Sequence, residues 1–195
     1  MKYNFTSGEE LLNKCEEFNM SIHELCLERE AELTGVSKEE ILKKMHTALD
    51  IMRNAVEKAQ TEDIKSMGGL IGGEAKKLTL FRSSDKKTVC GELMNKAMSA
   101  AMGTMEVNAS MGLVVAAVTI GKEYNLSDEE MVKGLLTASA IGAIITRNAT
   151  VAGAEGGCQA ETGAAAAMAA AGVVEMMGGT AKEAIHSASH CLQNV

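Results

Sequence analysis

Ser37-Lys-Glu-Glu40-Ile41-Leu-Lys-Lys-Met45-His-Thr-Ala48-Leu49-Asp-Ile-Met52 decides the fold class. A serine stands three residues ahead of a glutamate, an arrangement in which the hydroxyl takes an orphan backbone amide and the carboxylate reaches back to the cap. Behind it Ile41, Met45, Ala48, Leu49 and Met52 recur at helical spacing on one face, with Lys43, Lys44 and Asp50 off that face. A helix from 38 to about 60 follows. The same opening recurs as Ser7 with Glu10, Ser21 with Glu24, Ser127 with Glu130 and Thr180 with Glu183.

No segment alternates apolar and polar residues over a strand's length, and β-branched clusters such as 113–120 are short and set among alanines. The fold class is therefore all-α, a compact multi-helix domain, with helices predicted over 8–18, 21–34, 38–60, 74–82, 88–120, 128–147, 159–177 and 181–193. Proline is absent, so helix ends fall to glycine, and Gly35, Gly121 and the Gly178-Gly179 pair are the expected stops. Length favours a single domain over 1–195. Within it, 1–65 is charged and amphipathic, as outer helices are. From about residue 96 the chain is rich in Ala, Gly, Met and Val, which predicts a close-packed central bundle in the second half, 66–195.

The chain holds 19 basic and 26 acidic residues, a net charge of −7, with 3% aromatics. That balance repels phosphate backbones and anionic lipid and supplies no stacking platform, so neither nucleic acid nor a membrane surface is an expected partner. Charged residues interrupt each apolar stretch and the N-terminus lacks a signal-peptide core, which predicts a cytoplasmic protein. Five cysteines (Cys15, Cys26, Cys90, Cys158 and Cys191), an odd number without close pairing, fit a reducing compartment.

Two glycine-rich loops could carry chemistry. The first, from Ser66 through Gly68, Gly69, Gly72 and Gly73, leads into a helix bearing Lys76 and Lys77. Backbone amides ahead of a helix can close on a carboxylate or phosphate, and a plain interhelical turn fits the same pattern. The second runs Asn148-Ala-Thr-Val-Ala-Gly153-Ala-Glu155-Gly-Gly-Cys158-Gln-Ala-Glu161. It sets one thiol at a helix mouth, where a helix N-terminus favours the thiolate that binds metals or attacks electrophiles. A small apolar cysteine opening a helix satisfies the spacing too. Nucleophilic catalysis would want a base nearby, and His23, His46, His186 and His190 form no such pattern. His186 and His190 share a helix face without a third ligand. Cys15 and Cys26 suit packing, and Met94, Met98, Met102 and Met105 suit a core stripe.

The stretches Leu-Glu-Arg-Glu-Ala-Glu-Leu at 27–33, Gly-Gly-Glu-Ala-Lys-Lys-Leu at 72–78, Glu-Val-Asn108-Ala-Ser-Met-Gly at 106–112 and Gly-Ala-Glu-Gly-Gly-Cys-Gln-Ala-Glu at 153–161 together resemble the α chain of iron-sulfur L-serine dehydratase, in family order. The resemblance implies an all-α subunit of a lyase that converts L-serine to pyruvate and ammonia through an aminoacrylate, without pyridoxal phosphate, in amino-acid degradation and gluconeogenesis. It implies a 4Fe-4S cluster held by three thiolates, of which Cys158 matches one. The open iron then acts as Lewis acid on the leaving hydroxide.

The resemblance further implies an oligomer with a separate β chain, and substrate contacts from Ser66, Gly68, Gly69, Gly72, Gly73, Lys76, Asn108, Asn148, Gly153 and Glu155. The general base is not assigned. Relatives carry two more cluster cysteines beyond the position of Val195, and a Pro-Thr-Ala-Gly-type loop where this chain runs on from Ala117 to Ile120. This chain by itself is therefore expected to fold without a stable cluster, with 148–157 more mobile than the flanking helices. A related iron-sulfur cysteine desulfidase and a non-catalytic helical module are the alternatives.

Overall fold

The computed structural model describes residues 1–66, 68–69, 72–84, 90–106 and 115–193. Among them the helices are α1 (Gly8–Phe18), α2 (Ile22–Thr34), α3 (Lys38–Thr61), α4 (Glu74–Arg82) and α5 (Glu92–Glu106). A π-helical stretch, Val115–Ile120, runs into the single turn Gly121–Glu123, together α6. Then come α7 (Asp128–Asn148), α8 (Gly153–Met176) and α9 (Ala181–Leu192). The described residues contain no strand, only an isolated bridge between Lys65 and Gly72. The protein is all-α.

The predicted openings divide into two kinds. Ser21, Ser127 and Thr180 form complete reciprocal capping boxes with Glu24, Glu130 and Glu183. Ser7 and Ser37 accept the expected amide from Glu10 and Glu40, but the carboxylates turn elsewhere. Glu10 receives the amide and hydroxyl of Thr6 instead, and Glu40 pairs with Lys44 one turn on. Gly35 and Gly178 end α2 and α8 in the left-handed region, as expected, and Asn19 and Asn125 adopt the same conformation without glycine's freedom.

Gly121 is not a stop. It is buried inside α6, where a Cβ would meet the Met131 side chain, so its smallness serves packing. The helix predicted over 88–120 begins at Glu92; its described parts are α5 and the π-helical stretch of α6, and 107–114 lie outside the described residues.

The core sits on α7, which buries residues around most of its circumference, from Met131 to Gly142. A helix apolar on all sides must be central. Its tightest neighbour is α8: a Cβ on Gly172 would lie 2.8 Å from the Gly134 carbonyl oxygen, so the two backbones touch where both residues are glycine. Phe5 from the segment before α1, and Leu11, Ile22, Leu25 and Leu49 from the N-terminal helices, join this core, and Leu49 belongs to the α3 face read from the sequence. Met94 and Met98, expected in the core, are exposed on α5.

Candidate functional site

The loop between α7 and α8 is built by its own side chains. At the end of α7 the Asn148 amide donates to the carbonyls of Thr6 (2.7 Å) and Ile144 (2.8 Å), fastening the loop to the N-terminal segment. The Thr150 hydroxyl accepts from the Ala152 amide and donates to Glu155 Oε2 at 2.8 Å. One helical turn follows from Gly153, and the chain then breaks at Gly157, with φ 83° and ψ 164°. That region is open essentially to glycine alone.

Cys158 stands immediately past the break, exposed, at the mouth of the long run of α8. The other glycines have steric reasons of their own. A Cβ at Gly153 would strike the Glu161 carboxylate, and one at Gly156 would lie 2.7 Å from Thr150 Cγ2 and 2.8 Å from Ala160 Cβ.

The turn before α4 is closed in a similar way. Lys65 and Gly72 bridge antiparallel, Gly69 donates to the Ser66 carbonyl at 2.8 Å, and Gly68, Gly69 and Gly73 take positive φ. The Gly72 amide donates to Glu74 Oε2 at 2.6 Å, so this turn does hold a carboxylate, its own. Lys76 pairs with Asp63 at 2.8 Å, which ties α4 to the end of α3. Asn108 lies outside the described residues.

The cysteines sort clearly. Cys15 and Cys26 are buried, and burial pushes their thiols up to about 11 and about 12; a protonated thiol is neither ligand nor nucleophile. Cys90 and Cys158 are exposed and Cys191 is half-buried. Among the described residues no three His, Cys, Asp or Glu side chains converge as a metal-binding group. A cluster bound at Cys158 therefore needs ligands from outside the described residues.

One polar constellation had no signal in the sequence. His23 Nδ1 lies 2.6 Å from Glu175 Oε1 and 2.8 Å from Ser21 Oγ, and the buried Thr137 hydroxyl donates to Glu175 Oε2 at 3.1 Å. Serine and carboxylate meet the same ring nitrogen, whereas a hydrolytic relay uses both nitrogens. The arrangement joins α2, α7 and α8 and is structural.

A profile of the family described as "Serine dehydratase alpha chain" matches residues 17–195. The L-serine dehydratase, alpha chain, of Peptoniphilus asaccharolyticus is 41% identical over 202 residues, covering 97% of this chain and 69% of the relative. The probable L-serine dehydratase, alpha chain, of Bacillus subtilis (strain 168) is 37% identical, with 98% of this chain and 67% of the relative covered. L-serine dehydratase 2 of Escherichia coli (strain K12) is 31% identical; the match takes in 90% of this chain and 42% of that longer protein.

Proposed function

This chain belongs to the serine dehydratase alpha-chain family, and on that premise we propose that it supplies the alpha-chain part of an enzyme that deaminates L-serine. Serine gives up its α-proton and β-hydroxyl as water to form aminoacrylate, which becomes an imine, and a second water releases pyruvate and ammonia. The observation that carries the reading is the exposed Cys158 at a helix mouth, behind a backbone break that only glycine sustains. Nothing in packing calls for a cysteine there.

The finer reading is a 4Fe-4S cluster with Cys158 as one thiolate ligand, its partners lying outside the described residues. The Asn148–Gly157 loop then shapes the substrate pocket through Gly153 and Glu155, and the Ser66–Gly73 turn with Lys76 faces the substrate carboxylate. For that, Gly72 must exchange the Glu74 carboxylate for the substrate's. The names of the alpha-chain relatives support a β chain as partner, and a single-domain subunit working in the cytoplasm completes the proposal. No helix among the described residues is long and apolar enough to cross a membrane.

The test is anaerobic reconstitution of a full-length version, carrying the further cysteines that relatives have beyond the position of Val195, with iron, sulfide and its β-type partner. Pyruvate should form from L-serine with a charge-transfer absorbance in the visible range, and Cys158→Ser should lose both while keeping its helical circular dichroism. A Cys158→Ser complex that retained iron and turnover would remove the cysteine from the site and leave the finer reading without support.

A further inference from the structure

A cleft of about 230 Å³ opens between α3, the end of α4, α5 and α6. No residue of the Cys158 loop lines it. Its floor is apolar: Val56, Ala100 and Val118 are buried and form a small core cluster of their own. Its rim is basic, with Arg82, Lys96 and Lys122, on a chain whose net charge is −7. Lys96 is engaged by Glu92 at 3.1 Å and Glu123 at 2.6 Å, which also neutralises the one carboxylate on the rim. Arg82 and Lys122 make no ion pair among the described residues.

The wall carries a second, independent sign. Thr119 lines the cleft from the π-helical stretch and is 7% exposed, yet its hydroxyl has no hydrogen-bond partner among the described residues. Other helical threonines here, Thr47, Thr79 and Thr146, each donate to the carbonyl one turn back. Buried polar groups are almost always paired, so an unpaired hydroxyl on a cleft wall calls for a partner from outside. π-helical insertions recur where a chain binds something, because they turn a side chain out of helical register. Gln60, fixed by donating to Ser99 at 3.0 Å, adds an amide to the same wall.

We propose that this cleft binds a short-chain carboxylate. Its oxygens meet the Arg82 guanidinium, whose fork suits a carboxylate, and the Thr119 hydroxyl, with Lys122 adding charge. The alkyl part lies on Val56, Ala100 and Val118. The volume is below the ~300 Å³ lower end of drug-sized pockets, which limits the ligand to a small metabolite. Inorganic phosphate would satisfy the rim and waste the floor. The proposal does not rest on serine deamination.

Butyrate, which carries no group for a deaminase to act on, is the probe. Titrated into the full chain by NMR or calorimetry, it should bind saturably and more tightly than inorganic phosphate. Thr119→Val should weaken it about tenfold, the loss of one charge-assisted hydrogen bond, and Arg82→Gln should weaken it at least as much. Without butyrate the Thr119→Val chain should melt no lower than the parent, because the hydroxyl removed had no partner. Unchanged butyrate affinity in Thr119→Val, phosphate binding as tight as butyrate, or a markedly lower melting temperature of Thr119→Val alone would each overturn the proposal.

Discussion

Gly157 shows how one residue can set the geometry of a site. With φ 83° and ψ 164° it occupies a region that costs other residues ~1–3 kcal/mol, and its Cβ position is open, so the cost of a substitution is conformational and not steric. Gly157→Ala should therefore lower unfolding free energy by about 1–3 kcal/mol in urea titration, or else straighten the break. In the second case hydrogen exchange should slow across 153–161 as one continuous helix forms, and Cys158 would move from the mouth of a helix to its interior. A chain with parent stability and parent exchange would show that the break is not held by glycine. The sequence made the glycine-rich approach to Cys158 visible, but it did not distinguish the three glycines. Gly153 and Gly156 are small because Glu161, Thr150 and Ala160 fold against them, a fact about neighbours that only the folded loop reveals.

Helices were legible where their signals are local. A cap, a carboxylate three residues on and a 3.6-residue stripe lie within a dozen positions, so α1, α2, α3, α7 and α9 fall within a residue or so of the reading. The 88–120 helix differs at its described ends, starting at Glu92 and turning π-helical over Val115–Ile120, because continuous apolar and small residues carry no period to mark a start or a π-helical register. Capping also makes the elements acid-sensitive. The Glu24, Glu130 and Glu183 carboxyls are held below their ordinary 4.5, above all by the backbone amides of Ser21, Ser127 and Thr180. A lowered folded-state pKa adds stability above the unfolded value, and that stability is lost as pH falls through the folded one. The urea midpoint should accordingly hold near neutrality and decline from just above pH 4.5 downward. Glu24→Gln, Glu130→Gln and Glu183→Gln combined should start lower, decline less and converge on the parent in acid. Parallel pH curves for the two proteins would show that the caps do not titrate with folding.

At the scale of the whole molecule, a polar contact that no local pattern could announce joins the N-terminal helices to the C-terminal half, since His23 and Glu175 are 152 positions apart. The Glu175 side chain is 8% exposed and the His23 side chain 17%. A carboxylate only accepts, so the imidazole donates from Nδ1 and Thr137 fills the second carboxylate oxygen. Around them Ile22, Leu25 and Cys26 pack in the same core as Leu135 and Ala171, so water cannot easily replace a missing partner. His23→Ala should consequently cost about 3 kcal/mol in urea unfolding at constant m, the scale found when a buried pair loses one member. Glu175→Leu should cost less than the carboxylate's contacts suggest, because an apolar side chain of similar volume suits that core. The double variant His23→Leu with Glu175→Leu decides the matter. Replacing both members of a buried polar pair removes the desolvation cost along with the attraction, so its loss should be smaller than the sum of the two single losses. Losses that simply added would mean that histidine and glutamate contribute separately, and that α2 is held to α8 by apolar packing alone.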